Sequence, residues 1–151
     1  MSARVTDKTD PASLYHRTTT EAWWRTQAHR HQLFVSAEVI AELSASTFTR
    51  RERALELIGK LPLIAIDEEV RGLARMLVRE KAMPAPIAGD AIHVAAACVH
   101  EMEYLLSWNV RHLANPRKLE HLQGICLRLG RMPPRIVTPE LLWEESDEER
   151  V

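Results

Sequence analysis

An α/β domain with a mostly parallel sheet is the arrangement this sequence predicts, on three grounds. Four short segments are apolar through their middles instead of alternating, the pattern of strands covered on both faces. Stretches with helical periodicity separate them, and that alternation implies parallel strands joined by helices. The length, 151 residues, suits a single hydrophobic core.

Taken in order, Asp10-Pro11 opens a first helix that reaches about His29, with Trp23 and Trp24 anchoring it to the core. The first strand, Gln32–Val35, runs into Ser36, whose side chain suits the N-cap of a helix over Ala37–Ala45. The second, Pro62–Ile66, runs into Asp67, a good N-cap for Glu68–Lys81. There Val70, Leu73, Ala74, Leu77 and Val78 form one apolar face. Pro86 can start a helix to about Met102. The third strand, Tyr104–Ser107, leads into Trp108-Asn109. Asn115-Pro116 opens a helix to Leu129, stopped by Gly130. The fourth strand is Arg135–Val137, running into Thr138-Pro139. In such sheets ligands bind beyond the carboxyl ends of the strands.

Composition narrows the field. Hydrophobic residues make up 46% and charged residues 27%, which excludes disorder over most of the chain and a disulfide-rich scaffold. The net charge of −1 gives no global case for a nucleic-acid or membrane partner. Cys98 and Cys126 lie in apolar helical patterns without a C-x-x-C partner and read as reduced core thiols. The start of the chain has no apolar run of the signal-peptide kind, and no stretch reaches the ~18 apolar residues of a membrane span. The expectation is a cytoplasmic protein with one domain over 1–143. An acidic tail at 144–151 follows, with Glu144, Glu145, Asp147, Glu148 and Glu149 in solvent.

The polar residues just past the strand ends are the candidates for chemistry. Asp90 stands in a helix otherwise built of Ala, Ile and Val, where a buried carboxylate is costly unless it is paired or binds a metal. The dipole of the first helical turns would also favour it there. Glu42 lies six residues past Ser36, with Glu38 one turn earlier on the same face. Either would ordinarily be a solvated helix residue. Combined with Asp90 and Ser107-x-Asn109, Glu42 completes a set of oxygen-bearing side chains at one sheet edge. Oxygen ligands are what Mg²⁺ or Mn²⁺ prefers. Thr49-Arg50-Arg51-Glu52-Arg53, with Arg25, His29, Arg30 and His31, could bind RNA phosphates or be solvated helix ends. His93 shares the face of Asp90, and His112 neighbours Asn109. There is no Gly-rich phosphate loop, zinc spacing or G-x-S-x-G elbow.

Four ordered motifs carry a resemblance: Phe34-Val35-Ser36 with Val39 and Glu42; Gly89-Asp90-Ala91-Ile92-His93-Val94-Ala95-Ala96-Ala97; Tyr104-Leu105-Leu106-Ser107-Trp108-Asn109 through Asn115; and Ile136-Val137-Thr138-Pro139-Glu140-Leu141-Leu142. Over about residues 10–143 the chain resembles the PIN-domain family, in the branch of VapC-like toxin nucleases. The resemblance implies a three-layer α/β fold with a five-stranded, mostly parallel central sheet. It also implies Mg²⁺- or Mn²⁺-dependent endoribonuclease activity, a small antitoxin partner and self-association as a homodimer. Carried over, Glu42 and Asp90 match the family's second and third acids and would ligate metal. Asn109 falls where many members place a fourth acid, and Ser107 matches the strand-end Ser/Thr. The departure is at the front. The family's first, central strand ends in an acid, and here only polar residues with Asp7 precede the first helix. The expectation is therefore a chain that begins after that strand, with weak or no nuclease activity. The alternative is a catalytically degenerate PIN-like module that only binds.

Overall fold

The fold was established from a computed structural model, which describes residues 11–45, 51–108 and 116–145. It is a mixed α/β arrangement. The elements are α1 (Pro11–Thr26), a 3₁₀ turn (Ala28–Arg30), β1 (Val35–Ser36), α2 (Ala37–Ala45), α3 (Arg51–Ile58), β2 (Leu63–Ile64) and α4 (Glu68–Arg79). A π-turn (Ile87–Ala91) then leads into α5 (Ile92–Val99), followed by β3 (Tyr104–Leu106), α6 (Pro116–Arg128), β4 (Arg135–Val137) and a closing 3₁₀ turn (Pro139–Leu142).

Local chemistry sets most boundaries where the sequence predicts them. The Ser36 hydroxyl accepts from the Val39 amide at 3.2 Å and the Asp67 carboxylate from the Val70 amide at 3.0 Å, so each caps its helix. Gly130, at φ +69°, ends α6. Its amide donates to Leu127 and the Arg131 amide to the Cys126 carbonyl, a closure that needs the left-handed conformation at the glycine. The helices α4 and α5 close in the same way on Lys81 (φ 61°) and Glu101 (φ 56°), which carry side chains.

Three expectations are corrected. The fourth strand has its predicted bounds, the second and third lie inside their predicted segments but are shorter, and the first is only Val35–Ser36, ending one residue past its predicted segment. The helix expected from Pro86 to Met102 is interrupted. Gly89 is non-helical (φ −93°, ψ −132°), so Asp90 sits in a π-turn before α5 instead of within a continuous helix. The first helix ends at Thr26, and a 3₁₀ turn carries the chain on to Arg30.

The strands do not form one sheet among the described residues. β1 pairs in parallel with β2, with Val35 opposite Leu63, and β3 in parallel with β4, with Leu105 opposite Ile136. The core divides the same way. A large cluster joins α4, α5, α6 and β4, with Val70, Leu77, Met83, Val94, Leu122 and Ile125 at its centre. A small one joins Val35, Leu43, Ala54 and Ile58. Ile64 and Ile66, on and after β2, pack against the larger cluster and link the two. Between β1 and β3 lies a cavity of about 700 Å³, walled by residues 32–36 on one side and 104–108 on the other. No helix among the described residues is long and apolar enough to cross a membrane.

Candidate functional site at the strand carboxyl ends

β1 ends at Ser36 and turns directly into α2, so Glu42 stands in the second turn above that strand end. The helix α5 descends into β3 through a short turn. His93, in the first turn of α5, lines the same cavity as Ser107, the residue after β3. These two paths meet. His93 Nε2 lies 3.2 Å from Glu42 Oε1, a contact across 51 residues of sequence. The pair is partly open to water, with side chains 24% and 47% exposed, so it is a surface-grade interaction and not a buried ion pair. Asp90, half-buried in the π-turn, precedes His93 by three residues. Ser36, His93 and Ser107 all border the cavity between the strand pairs.

The other side of this edge is fastened to α1. The Trp108 Nε1–H donates to Thr20 Oγ1 at 2.7 Å, and its indole stacks on the His16 ring with centroids 4.1 Å apart. The Tyr15 hydroxyl donates to the Glu140 carboxylate, and that bond to an anionic acceptor holds the phenol above its ordinary value. Trp23 is fully buried and donates to the Leu142 carbonyl at 3.3 Å, as expected of an anchor for the first helix. Trp24 packs against the smaller core cluster.

Several sequence expectations can now be placed. Glu42 is exposed, Asp90 and Ser107 are half-buried, and Glu38 is half-buried one turn before Glu42. Ser36 uses its hydroxyl as a helix cap. Asn109 lies outside the described residues, as do Asp7, His112, Thr49 and Arg50. Arg30 is bound to Glu144 at 3.0 Å, and His31 stacks on Trp23. The Glu42–His93 contact was not legible in the sequence, which pointed to His93 only as a neighbour of Asp90. Two carboxylates with serine hydroxyls suit a hard cation that keeps several waters, as Mg²⁺ does. Among the described residues, however, no three His, Cys, Asp or Glu side chains gather as a metal cluster.

Cys98 and Cys126 are both buried, with Sγ atoms 3.3 Å apart and unbonded. Their contact holds the Cys98 thiol below its usual range and pushes Cys126 far above it, because one sulfur's S–H stabilises the other's thiolate. Burial adds to the rise at Cys126. The expectation of reduced core thiols placed both inside, and the structure adds their adjacency.

Compared with models of known protein families, with curated proteins and with solved structures, the chain matches none of them.

Proposed function

We propose that this protein is a PIN-like endoribonuclease of the VapC type, a toxin controlled by a small antitoxin. In this reading Glu42 and Asp90 hold Mg²⁺ or Mn²⁺ against an RNA phosphodiester. The single observation that supports the reading is the Glu42–His93 contact, which joins α2 to the first turn of α5, three residues past Asp90. The bound cation would polarise the phosphate and generate hydroxide from water. Glu42 and Asp90 supply its charge neutralisation, and Ser107 and Asn109 add neutral oxygens. His93 orients Glu42.

The test is cleavage of a single-stranded RNA oligonucleotide with and without Mn²⁺, in the wild type and in the variants Glu42→Gln and Asp90→Asn. Weak Mn²⁺-dependent cleavage is expected of the wild type and should be lost in each variant while circular dichroism stays unchanged. Cleavage that persists in both variants, or without metal, removes the assignment. A second reading, a PIN-like module that binds without cutting, is favoured by the lack of a three-ligand cluster among the described residues. Wild-type protein that binds RNA or a partner but never cleaves selects it.

A further inference from the structure

The chain has two cysteines, Cys98 and Cys126, 28 residues apart, and the fold brings them together. Cys98 is the next-to-last residue of α5, Cys126 lies in the last turn of α6, and both are fully buried in the larger core cluster. Their Sγ atoms are 3.3 Å apart and unbonded. A disulfide holds its sulfurs about 2.05 Å apart, so each sulfur has to move only about 0.6 Å toward the other. On its other side Cys98 Sγ lies 3.8 Å from the Met132 carbonyl, in a stretch after α6 that belongs to neither helix nor strand. Met132 itself is 71% exposed, so a single thickness of chain covers the thiol there. Arg131 pins that stretch by donating to the Val99 carbonyl at 3.1 Å and to the Glu69 carboxylate. The two sulfurs are not equivalent. The Cys126 S–H, and after it the Arg131 charge, hold the Cys98 thiol below its usual range against the opposing effect of burial. Cys126 is pushed up, first by Cys98 and then by burial.

We propose that Cys98 and Cys126 are a site of oxidation by hydrogen peroxide, at which a reversible disulfide forms and ties α5 to α6 within the native fold. Cys98 faces the thin cover and reacts first. Its thiolate attacks one peroxide oxygen and the O–O bond breaks. A sulfenic acid forms, and the hydroxide released takes up the proton that Cys98 gave off, as water. Cys126 then attacks that sulfur. The S–S bond forms, the S–O bond breaks, and the Cys126 proton leaves with the oxygen as a second water. The two thiols lose two electrons and two protons, and the peroxide becomes two waters. This order fits the asymmetry of the pair. The Cys126 proton is held mainly by contact with Cys98, and that hold ends once Cys98 is no longer a thiolate. Burial selects the oxidant. Hydrogen peroxide is nearly as small as water, whereas a disulfide such as oxidised glutathione must pass through a mixed disulfide with Cys98, for which two fully buried sulfurs leave no room. The bond would close a loop containing β3 and most of α6, which restricts the unfolded chain and stabilises the fold. The proposal is independent of any nuclease activity.

The experiment treats residues 1–151 with hydrogen peroxide under native conditions, then counts free thiols after denaturation and maps the peptides. Both thiols should disappear together into one peptide pair linked through Cys98 and Cys126 within a monomer, and dithiothreitol should restore both. The oxidised protein should melt several degrees higher than the reduced one. In Cys126→Ala the reaction should stop at the Cys98 sulfenic acid, which a 1,3-dione traps. In Cys98→Ala the remaining thiol should react at least tenfold more slowly than Cys98 does in Cys126→Ala. Alanine keeps both positions apolar, and the wild-type peptide map decides the matter even if neither variant folds. Oxidised glutathione should leave both thiols free in the folded protein. Thiols that survive peroxide in the folded protein and are lost only in urea overturn the proposal and leave the pair as core packing. So do links between chains, or an oxidised form that melts no higher than the reduced one. Equal reactivity of the two single variants overturns the order of attack. Oxidation by glutathione disulfide as fast as by peroxide overturns the selection by burial.

Discussion

At the scale of single residues, the candidate site depends on side chains that touch across long sequence separations. The 3.2 Å contact of His93 with Glu42 is the example that bears on function. If Asn109 completes the cation's surroundings, Asn109→Asp adds a charge beside it, and Mn²⁺ affinity measured by calorimetry should rise several-fold. Unchanged affinity places Asn109 away from the ion. The thiol pair makes a second prediction. Above about pH 9 the unfolded chain ionises both cysteines. The native state keeps the Cys126 proton, whose release is opposed by Cys98 and by burial. The native state then binds about one proton more than the unfolded one. Stability should therefore fall by up to about 1.4 kcal/mol per pH unit in that range. The sign follows because a raised pKa stabilises below the unfolded value and loses that contribution as pH rises. In Cys98→Ala/Cys126→Ala the excess slope should vanish, and urea titrations at pH 8, 9 and 10 compare the two. An equal slope in both proteins would mean that Cys126 ionises normally.

Among the elements, the helix ends carry measurable energy. Lys81 and Glu101 hold the left-handed conformation that closes α4 and α5, a geometry glycine adopts at lower cost. Lys81→Gly should raise stability by about 0.5–1 kcal/mol, the strain relieved less the added freedom of the unfolded chain. A thermal melt reads this as a higher midpoint, and a lower one would place a side-chain role at Lys81. Asp67→Ala removes the acceptor of the Val70 amide and should cost about 1 kcal/mol, with Asp67→Ser recovering most of it. These caps were legible in the sequence because capping is local. Asp67 and Ser36 stand immediately before apolar periodic runs. The break at Gly89 was not legible, since Ala, Ile and Val continue on its far side with helical spacing.

For the whole molecule, the division of the core is the governing fact. Among the described residues one cluster holds sixteen buried residues and the other four. Burial scales the hydrophobic stabilisation, at roughly 25 cal/mol per Å² of apolar surface, so the smaller half should open first. Trp24 packs on the small cluster, and Cys98 and Cys126 lie in the large one. In a urea titration, tryptophan emission should change at lower denaturant than thiol labelling becomes fast. Coincident transitions would show that Ile64 and Ile66 couple the halves into one cooperative unit. The strand pairs make a related prediction. The amides of Val35 and Ser107, bonded to Pro62 and Val137, should exchange at least tenfold more slowly than those of Phe34 and Leu106. Equal rates would mean that the outer edges of β1 and β3 are also paired.

Most elements, their order and several of their ends were legible in the sequence, with α3 (Arg51–Ile58) the helix it did not predict. Apolar runs of strand length, helical periodicity and capping residues are local signals, and local energies decide them. It also placed Trp23, Cys98 and Cys126 inside and Glu42 and Asp90 on segments that follow or precede strands. Only the tertiary structure shows that Glu42 meets His93, that Trp108 docks on Thr20 and His16, that the two thiols touch, and that the four strands among the described residues make two pairs with a cavity between them. The physical reason is that pairing between strands depends on which unpaired edge finds a neighbour in space. A strand's own side chains record whether its faces are buried, but not what lies at its edges.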